Sequence, residues 1–591
     1  MNIVCDIETD NLAINTPINY VGFYAKRHSD NEPCFEYFKL PQDLEALKAF
    51  IKDGEEHGAK WCFHNGKFDT VRLLYSYGID MRISHDTMIL TYLASTVDEL
   101  KDNRGKWLGL KYAAPRILGV KNWDIETSQK TSKEDKDVLP YLAKDCQYTY
   151  ELLEKLMTDL PITRRRTYKL IIEALNAYKY VEINGLPIDT EQLEQTYNEY
   201  KIELASLAKE LKDYADINYN SSQQLSKLLY IDLQLPILEY TEAGAPSTRV
   251  SILKQLKGQH PIIDLLLRHR EVRKALDFLE SWRTEMIQHA DGYYYLHSNF
   301  NMHGTVTGRT SSSEVNLQQI PRNKKLKSLF KATMPGWELA CLDFSQLELR
   351  FTGVVANVQA IKESYRNGVD LHRLMASKVA NCTMEEVTKD MRTQAKAINF
   401  GFIYGMQAAS FVEYARDSYG VNVTLEEAVA IRQAFFELYP ELLVYYQDVE
   451  QDLMEDCKQT SMLGREYELN PSILLNKFTR QNYLRAAINF PVQSAGSDYV
   501  ICGLIQVVND PELKDKIRVC ATVHDSIIFL VKKDGLAETV TRVQQIMQDP
   551  ELAHQLATKE IDLPIVVDIE LGPLGKGVNL DEYTNEHTNA N

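Results

Sequence analysis

None of the nine cysteines, at positions 5, 34, 62, 146, 341, 382, 457, 502 and 520, stands in a C-x-x-C pair, so neither a zinc module nor a disulfide framework is indicated. Free thiols in a reducing compartment follow. No apolar run approaches the roughly 18 residues of a membrane span, and the first segment, MNIVCDIETDN, is acidic and enters the fold at once. The expected location is the cytoplasm, without a membrane partner. Excess positive charge is also missing: 66 Lys+Arg against 83 Asp+Glu give a net charge of −17, which argues against a globally basic nucleic-acid coat. Any nucleic-acid contact has to come from local basic patches. Internal repeats, low-complexity tracts and long linkers are absent as well. What remains is a globular composition, 44% hydrophobic and 25% charged, over 591 residues. That is too long for one core and predicts three or four domains.

From Met1 to about Leu160, short apolar runs (Asn2–Ile7, Val21–Tyr24, Lys60–Phe63) alternate with helical stretches such as Asp43–Asp53 and Asp86–Ser95, predicting an α/β unit. After Pro161 the spacing of Leu193, Tyr197, Tyr200, Leu204, Leu207 and Leu211 predicts an elongated helical module to about Ala290. Beyond Asp291, strands at Tyr293–Leu296, Glu338–Phe344, Val519–Thr522, Ser526–Val531 and Ile565–Glu570 surround a helical block between Asp370 and about Glu450. The tail after Asp581 reads as polar and frayed.

Asp6 and Glu8 end the first apolar run, and on a strand i and i+2 share a face. At about 4 Å and an effective dielectric near 20, two such charges repel by on the order of 4 kcal/mol, so both stay ionised only if solvated or neutralised by a cation. Alone, such a pair is usually an exposed strand edge. Here it keeps company with Asp69, in HNGKFD, and with Tyr141 and Asp145, one helical turn apart. Four carboxylates and a phenol can hold two divalent cations roughly 3.5–4 Å apart and orient a water for in-line attack on a phosphodiester. Asp86, before a helical run, is read instead as an N-cap.

A second acidic pair is dispersed: Asp343 ends the strand in LDFSQLELR, and Asp525 stands in VHDS. A lone strand-end aspartate is more often a turn former, but two meeting across a sheet make another two-metal site. Between them Arg392, Lys396, Phe400 and Tyr404 recur every four residues, which on a helix keeps them near one face. Two cations leading two aromatics, with Gly401 and Gly405 each costing a helix about 1 kcal/mol, describe a face able to hold a triphosphate and stack a base.

The first set resembles the 3′→5′ exonucleases with four acidic residues and a tyrosine, the ribonuclease D and proofreading-domain family. The second resembles the A, B and C motifs of family A DNA polymerases: GRTSS at 308–312, NLQQIP at 316–321, DFSQLELR at 343–350, DLHR at 370–373, RTQAKAINFGFIYG at 392–405, and Arg485 through Asn489 to Gln493. The resemblance implies a multidomain α/β and α+β protein, with a ribonuclease H-like exonuclease domain (1–160) before a right hand. Its thumb is expected at 161–300, palm at 301–365 and 485–591, and fingers at 366–484. It implies two Mg²⁺ per site, with Mn²⁺ able to substitute, on Asp6, Glu8, Asp69 and Asp145 and on Asp343 and Asp525, and water positioning by Tyr141. Arg392, Lys396 and His372 would neutralise the triphosphate, with Lys396 also placed to protonate pyrophosphate. Phe400 and Tyr404 would stack on base and template, Gln346 would lie in the nucleotide site, and Glu348 would reject ribonucleotides. Phe400, lacking a hydroxyl, implies discrimination against dideoxynucleotides. Arg309, Asn316, Gln318, Arg485, Asn489, Gln493 and His524 would face the primer-template, and Arg268, Arg270, Arg273 and Lys274 of the thumb would grip its phosphates, with the run Arg322–Lys331 as a second patch.

The implied partners are primer-template DNA and deoxynucleoside triphosphates, acting on a monomer; a helicase, primase or processivity factor is not identified by any residue. Two departures stand out. Ser526 replaces the glutamate that the family usually places after the motif C aspartate. The chain is expected to lack a separate 5′-nuclease domain, and in that it resembles a phage or viral replicative enzyme, in a host cytoplasm, more than a bacterial repair enzyme; the thumb has no room for the long insertion by which some phage relatives recruit a processivity factor, so low processivity, or a partner docking elsewhere, is expected. The competing readings are an exonuclease with a decayed polymerase half and a non-catalytic binding scaffold. The first requires loss of Asp343, Asp525, Arg392 or Lys396, all of which are present, and the second leaves two acidic clusters unexplained.

Overall fold

The computed structural model describes residues 1–27, 32–102, 106–123, 135–241 and 243–588. Its first unit is built on a five-stranded sheet in the order Pro33–Lys39, Ile18–Lys26, Asn2–Thr9, Lys60–Phe63, His85–Asp86. The first three strands are antiparallel and the last two run parallel to Asn2–Thr9. Asn2–Thr9 is central, and Ile3, Val4, Cys5 and Ile7 are buried, as expected of a strand covered on both faces. The Pro33–Lys39 strand was not among the apolar runs. It is a mostly exposed edge strand opened by proline, so burial leaves little pattern in it. Helix Asp135–Asp159 crosses this sheet closely enough that a Cβ on Gly22 would meet Leu142 Cγ at 2.7 Å. That approach sets Tyr141 and Asp145 over the end of the central strand.

The helical region holds the long helices Thr190–Lys212 and Pro261–Glu285, packed together. A separate small core of Leu211, Leu225, Leu229, Leu253 and Ile262 closes the far end. The third unit has a four-stranded sheet in the order Ile517–Val523, Ser526–Lys532, Trp337–Phe344, Val567–Leu571, with all neighbours antiparallel. Five helices from Leu371–Ala380 to Glu441–Asp456 form the inserted block.

The segment boundary at 484/485 falls inside the helix Lys477–Asn509, that at 365/366 inside Gln359–Arg366, and that at 300/301 inside the strand Asn299–Asn301. The 160/161 boundary falls between two helices, where Pro161 opens Ile162–Asn184. The expected frayed tail is corrected: Leu580–Thr588 is a helix whose buried Tyr583 donates from its hydroxyl to Glu338 at 3.0 Å. Helix Ile162–Asn184 is tied to the third unit by Arg164, which pairs with Glu466 at 2.6 Å and with Glu468, and the first unit by Asp98, which accepts the Asn470 N–H at 3.0 Å. Among the described residues no helix is long and apolar enough to cross a membrane.

Candidate active sites

At the first site Asp6 and Glu8 leave the central strand on one face and meet Asp145 from the crossing helix. Carboxylate oxygens of the three lie within 4.8 Å of one another. Asp69 stands beside them on helix Gly66–Tyr77 but turns one oxygen to the backbone, accepting the Ile7 N–H at 3.1 Å. Loss of water, then the charges of Asp69, Asp145 and Glu8, pushes the Asp6 carboxyl well above the usual range. Such a set is short of positive charge, and its hard oxygen donors suit Mg²⁺ or Mn²⁺. Asp86 caps helix Thr87–Ala94 as expected, accepting the Met88 and Ile89 N–H groups, and also takes the Gly66 N–H at 2.8 Å. It thereby fixes the turn that presents Asp69. Gly66 is required there, since a Cβ would stand 2.4 Å from that of Phe63.

Lys111, on helix Leu110–Leu118, was not singled out from the sequence. Its ammonium pairs with Asp145 and lies 3.9 Å from the centre of the Tyr141 ring and 4.3 Å from that of Trp123, whose indole also donates to Asp145 at 2.5 Å. A protein cation thus sits where the cluster calls for one, and it does not exclude a metal, because an ammonium on a four-carbon stem can withdraw. Removing one partner of a buried pair leaves an uncompensated charge, costing about 3 kcal/mol. Lys111→Met should therefore lower Tm in EDTA, and Mg²⁺ should restore much of the loss by binding the folded state. Thermal melts with and without Mg²⁺ check this; an unchanged Tm in EDTA contradicts it.

At the second site the sheet joins what the sequence separates. Asp343 pairs in register with Ser526 on one side and Asp568 on the other. Asp525 stands at the tip of a two-residue hairpin in which Val523 pairs with Ser526 and His524 takes φ +55°. The Phe344 N–H donates to the Asp525 carbonyl at 3.0 Å, fastening the tip to the end of the Asp343 strand. Loss of water around its carboxyl, with the charges of Asp525 and Asp568, pushes Asp343 up to about 6. Between the ordinary carboxylate range and about 6 the folded state holds a proton there that the unfolded chain releases, so the stability this group lends the metal-free fold is fully present below the ordinary range and lost as pH rises through about 6, and a divalent cation competes with that proton. In a protein whose first site is disabled, Mn²⁺ affinity should fall about tenfold from pH 7.5 to pH 5, as read by electron paramagnetic resonance. A pH-independent affinity contradicts it.

Glu348 pairs with Arg309 and accepts the Tyr404 hydroxyl at 2.7 Å. Arg309 also acts electrostatically on Asp525, so this network reaches the aspartates. Gly308 has φ +81°, and a Cβ there would strike the Arg465 guanidinium at 2.4 Å. Arg465 is itself held in a buried pair with Asp498 at 2.7 Å.

The helix expected to carry all four residues spaced by four is corrected: it runs Lys389–Phe402, and Tyr404 lies past its end, before Gly405 at φ +74°. Arg392 pairs with Asp370 at 2.7 Å, while Lys396 is exposed. His372 lies in the first turn of the neighbouring helix Leu371–Ala380. The ring is buried, touches Asn399 Nδ2 at 3.0 Å, and loss of water lowers it to about 4, so it is neutral at pH 7. It packs beside Phe400, with ring centres 5.9 Å apart. Gln346 accepts the Tyr365 hydroxyl at 2.8 Å.

Asn316 accepts from Ser312 at 2.7 Å, and Gln318 donates to Thr310 at 2.7 Å. Arg485 and His524 are exposed, Gln493 is half-buried, and Asn489 Oδ1 is buried without a hydrogen-bond partner. In the thumb, Arg268 pairs with Glu203 at 2.6 Å and Glu271 at 3.1 Å, Arg273 with Asp277 at 3.2 Å, and Arg270 donates to the Thr248 carbonyl at 2.6 Å; Lys274 is exposed. Where the first unit meets the third, a cleft of about 530 Å³ is lined by Tyr92, Leu100 and Lys101 of the first unit and by His303, Thr305 and Ser311.

Residues 2–161 match the model of the 3′-5′ exonuclease family, and residues 190–574 match that of DNA polymerase family A. Among curated relatives, a DNA polymerase of Bacillus phage SP01 is 26% identical, over 88% of this chain and 63% of its own length. DNA polymerase I of Geobacillus stearothermophilus is 28% identical, over 91% and 60%, and that of Aquifex aeolicus 29%, over 89% and 88%. The chain therefore spans less than two thirds of the length of the first two. A solved structure described as the POL domain of Pol1 from M. smegmatis in complex with DNA primer-template and dNTP shares the fold. Its TM-score is 0.79 at 23% identity, covering 97% of this chain and 95% of that one. With the polymerase match spanning well over half its length, the chain belongs to DNA polymerase family A.

Proposed function

We propose that the chain is a template-directed DNA polymerase with 3′→5′ proofreading exonuclease activity, each site working with two divalent cations, Mg²⁺ by the hardness of the donors. The observation that carries this reading is the joining of Asp343 and Asp525 by the Phe344–Asp525 backbone bond, in a chain that holds a second carboxylate cluster in its first unit. Divalent cations bound there would lower the pKa of the attacking hydroxyl or water and offset charge on the phosphoryl oxygens.

The chain's own residues do the rest. Asp343 and Asp525 stand at the reacting end of the polymerase site, Lys396 and Arg392 face the triphosphate, and Lys396 is placed to protonate the leaving pyrophosphate. Arg392 first exchanges Asp370 for phosphate. His372, being neutral, positions Phe400 beneath the incoming base rather than adding charge. Tyr404 and Arg309 lock Glu348 in the pose that blocks a 2′-hydroxyl. Asn489, Gln493, Gln318 and Arg309 face the minor groove, whose acceptors recur in every base pair. The thumb arginines reach phosphates by giving up Glu203, Glu271 and Asp277, and binding falls steeply with salt. At the first site Tyr141 orients the attacking water.

A 5′-labelled primer on a longer template, with Mg²⁺ and with or without the four deoxynucleotides, tests both activities. Extension with nucleotides and shortening without them is the expected result. Shortening in both lanes would instead favour the exonuclease-only reading.

A further inference from the structure

Lys111 reaches the first site from helix Leu110–Leu118, which supplies no carboxylate to it, and its ammonium is enclosed there on three sides. It pairs with Asp145 and stands 3.9 Å from the centre of the Tyr141 ring and 4.3 Å from that of Trp123. Two aromatic faces and a carboxylate form a cage for a cation. The walls of the cage are fixed in their turn. Trp123 is buried, packs against Tyr148 with ring centres 4.3 Å apart, and donates its indole N–H to Asp145 at 2.5 Å, while Tyr141 hydrogen-bonds the same carboxylate from one helical turn away.

One ligand carboxylate, Asp145, is thus shared by the ammonium, the indole and the phenol. A divalent cation and an ammonium repel at contact distance and do not share one carboxylate oxygen, so loading the site requires Lys111 to release Asp145. The aromatic faces attract a cation through their own quadrupoles and do not depend on that carboxylate. Release of Asp145 therefore leaves the ammonium a place to stay, on the ring of the phenol itself. We propose that Lys111 is a positioning residue of the excision site: it occupies a metal ion's place at Asp145 until the metal arrives, then yields the carboxylate and remains on the Tyr141 ring, holding the phenol in its working pose. This rests on the proposed exonuclease reading. A lysine that only neutralised buried acids would affect stability and leave the rate at saturating metal untouched.

The test uses the full chain carrying Asp343→Asn and Asp525→Asn, so that Mn²⁺ reports the first site. Lys111→Met should bind Mn²⁺ about tenfold more tightly, read by electron paramagnetic resonance, because no resident cation competes for Asp145. At saturating Mn²⁺ it should nevertheless excise a single-stranded 3′ end about tenfold more slowly, because the Tyr141 ring has lost its support. Damage to the fold would weaken both together. Lys111→Arg, which keeps a cation on the rings, should retain most of the rate, and Lys111→Met should add little to the loss caused by Tyr141→Leu, since one acts through the other. Unchanged or weaker Mn²⁺ binding in Lys111→Met overturns the inference, as does an unchanged rate or a loss that adds in full to that of Tyr141→Leu. Asp145→Asn separates the two levels. If it leaves Mn²⁺ binding and excision intact, the exonuclease reading falls; if it abolishes them while Lys111→Met changes neither, only the role of Lys111 falls.

Discussion

Asp343→Asn and Asp525→Asn should each reduce nucleotide addition by about a thousandfold, the scale seen when a preorganised charge-stabilising group is removed from an active site. The amide keeps the size of the side chain, and the Phe344 N–H bond goes to the Asp525 backbone carbonyl, so the hairpin tip stays in place in both variants. Asp343→Asn also removes a carboxylate held up to about 6 by lost water and the charges of Asp525 and Asp568, so the metal-free fold should be at least as stable at pH 7.5. Single-turnover extension on a matched primer-template, with thermal melts, measures both. Shortening of the primer should persist, because the first site shares no ligand with the second.

Asp6→Ala with Glu8→Ala should give the mirror image: shortening reduced by about a thousandfold and extension intact. The three converging carboxylates raise the protonation of Asp6, and the Lys111 ammonium offsets part of that charge. Removing two of them relieves repulsion in metal-free buffer, so the double variant should not lose stability there. Misincorporated primer ends should then persist, read as the fraction of product carrying a terminal mismatch. Wild-type rates of shortening in this variant would remove the carboxylate cluster from the mechanism.

The parts legible in the sequence were those in which chemistry and local pattern coincide. Asp6 and Glu8 on an alternating strand, Tyr141 and Asp145 a helical turn apart, and the Asp86 cap each need only a short window. Asp343 and Asp525 were readable as strand-end acids, but their meeting depends on a hairpin register nearly two hundred residues downstream. The nearness of Asp568 to Asp343 was hidden for the same reason, since nothing in VVDIELG reveals which residue stands opposite it. Lys111 lay in an ordinary amphipathic stretch, and only the folded helix aims it at Asp145. The burial of His372 was equally out of reach, since burial is a tertiary property, and loss of water lowers the ring to about 4. The row from Arg392 to Tyr404 kept its four-residue spacing while losing its last member from the helix, and Gly405, at positive φ, stands just past that break.

The central claim is that one chain carries two separable sites, and a primer with a mismatched 3′ end tests it most directly. On such a substrate with all four nucleotides, the wild-type protein should remove the mismatch and then extend. The Asp6→Ala, Glu8→Ala variant should stall or extend without removal, and Asp343→Asn should shorten without extending. Extension by Asp343→Asn at the wild-type rate would contradict the account.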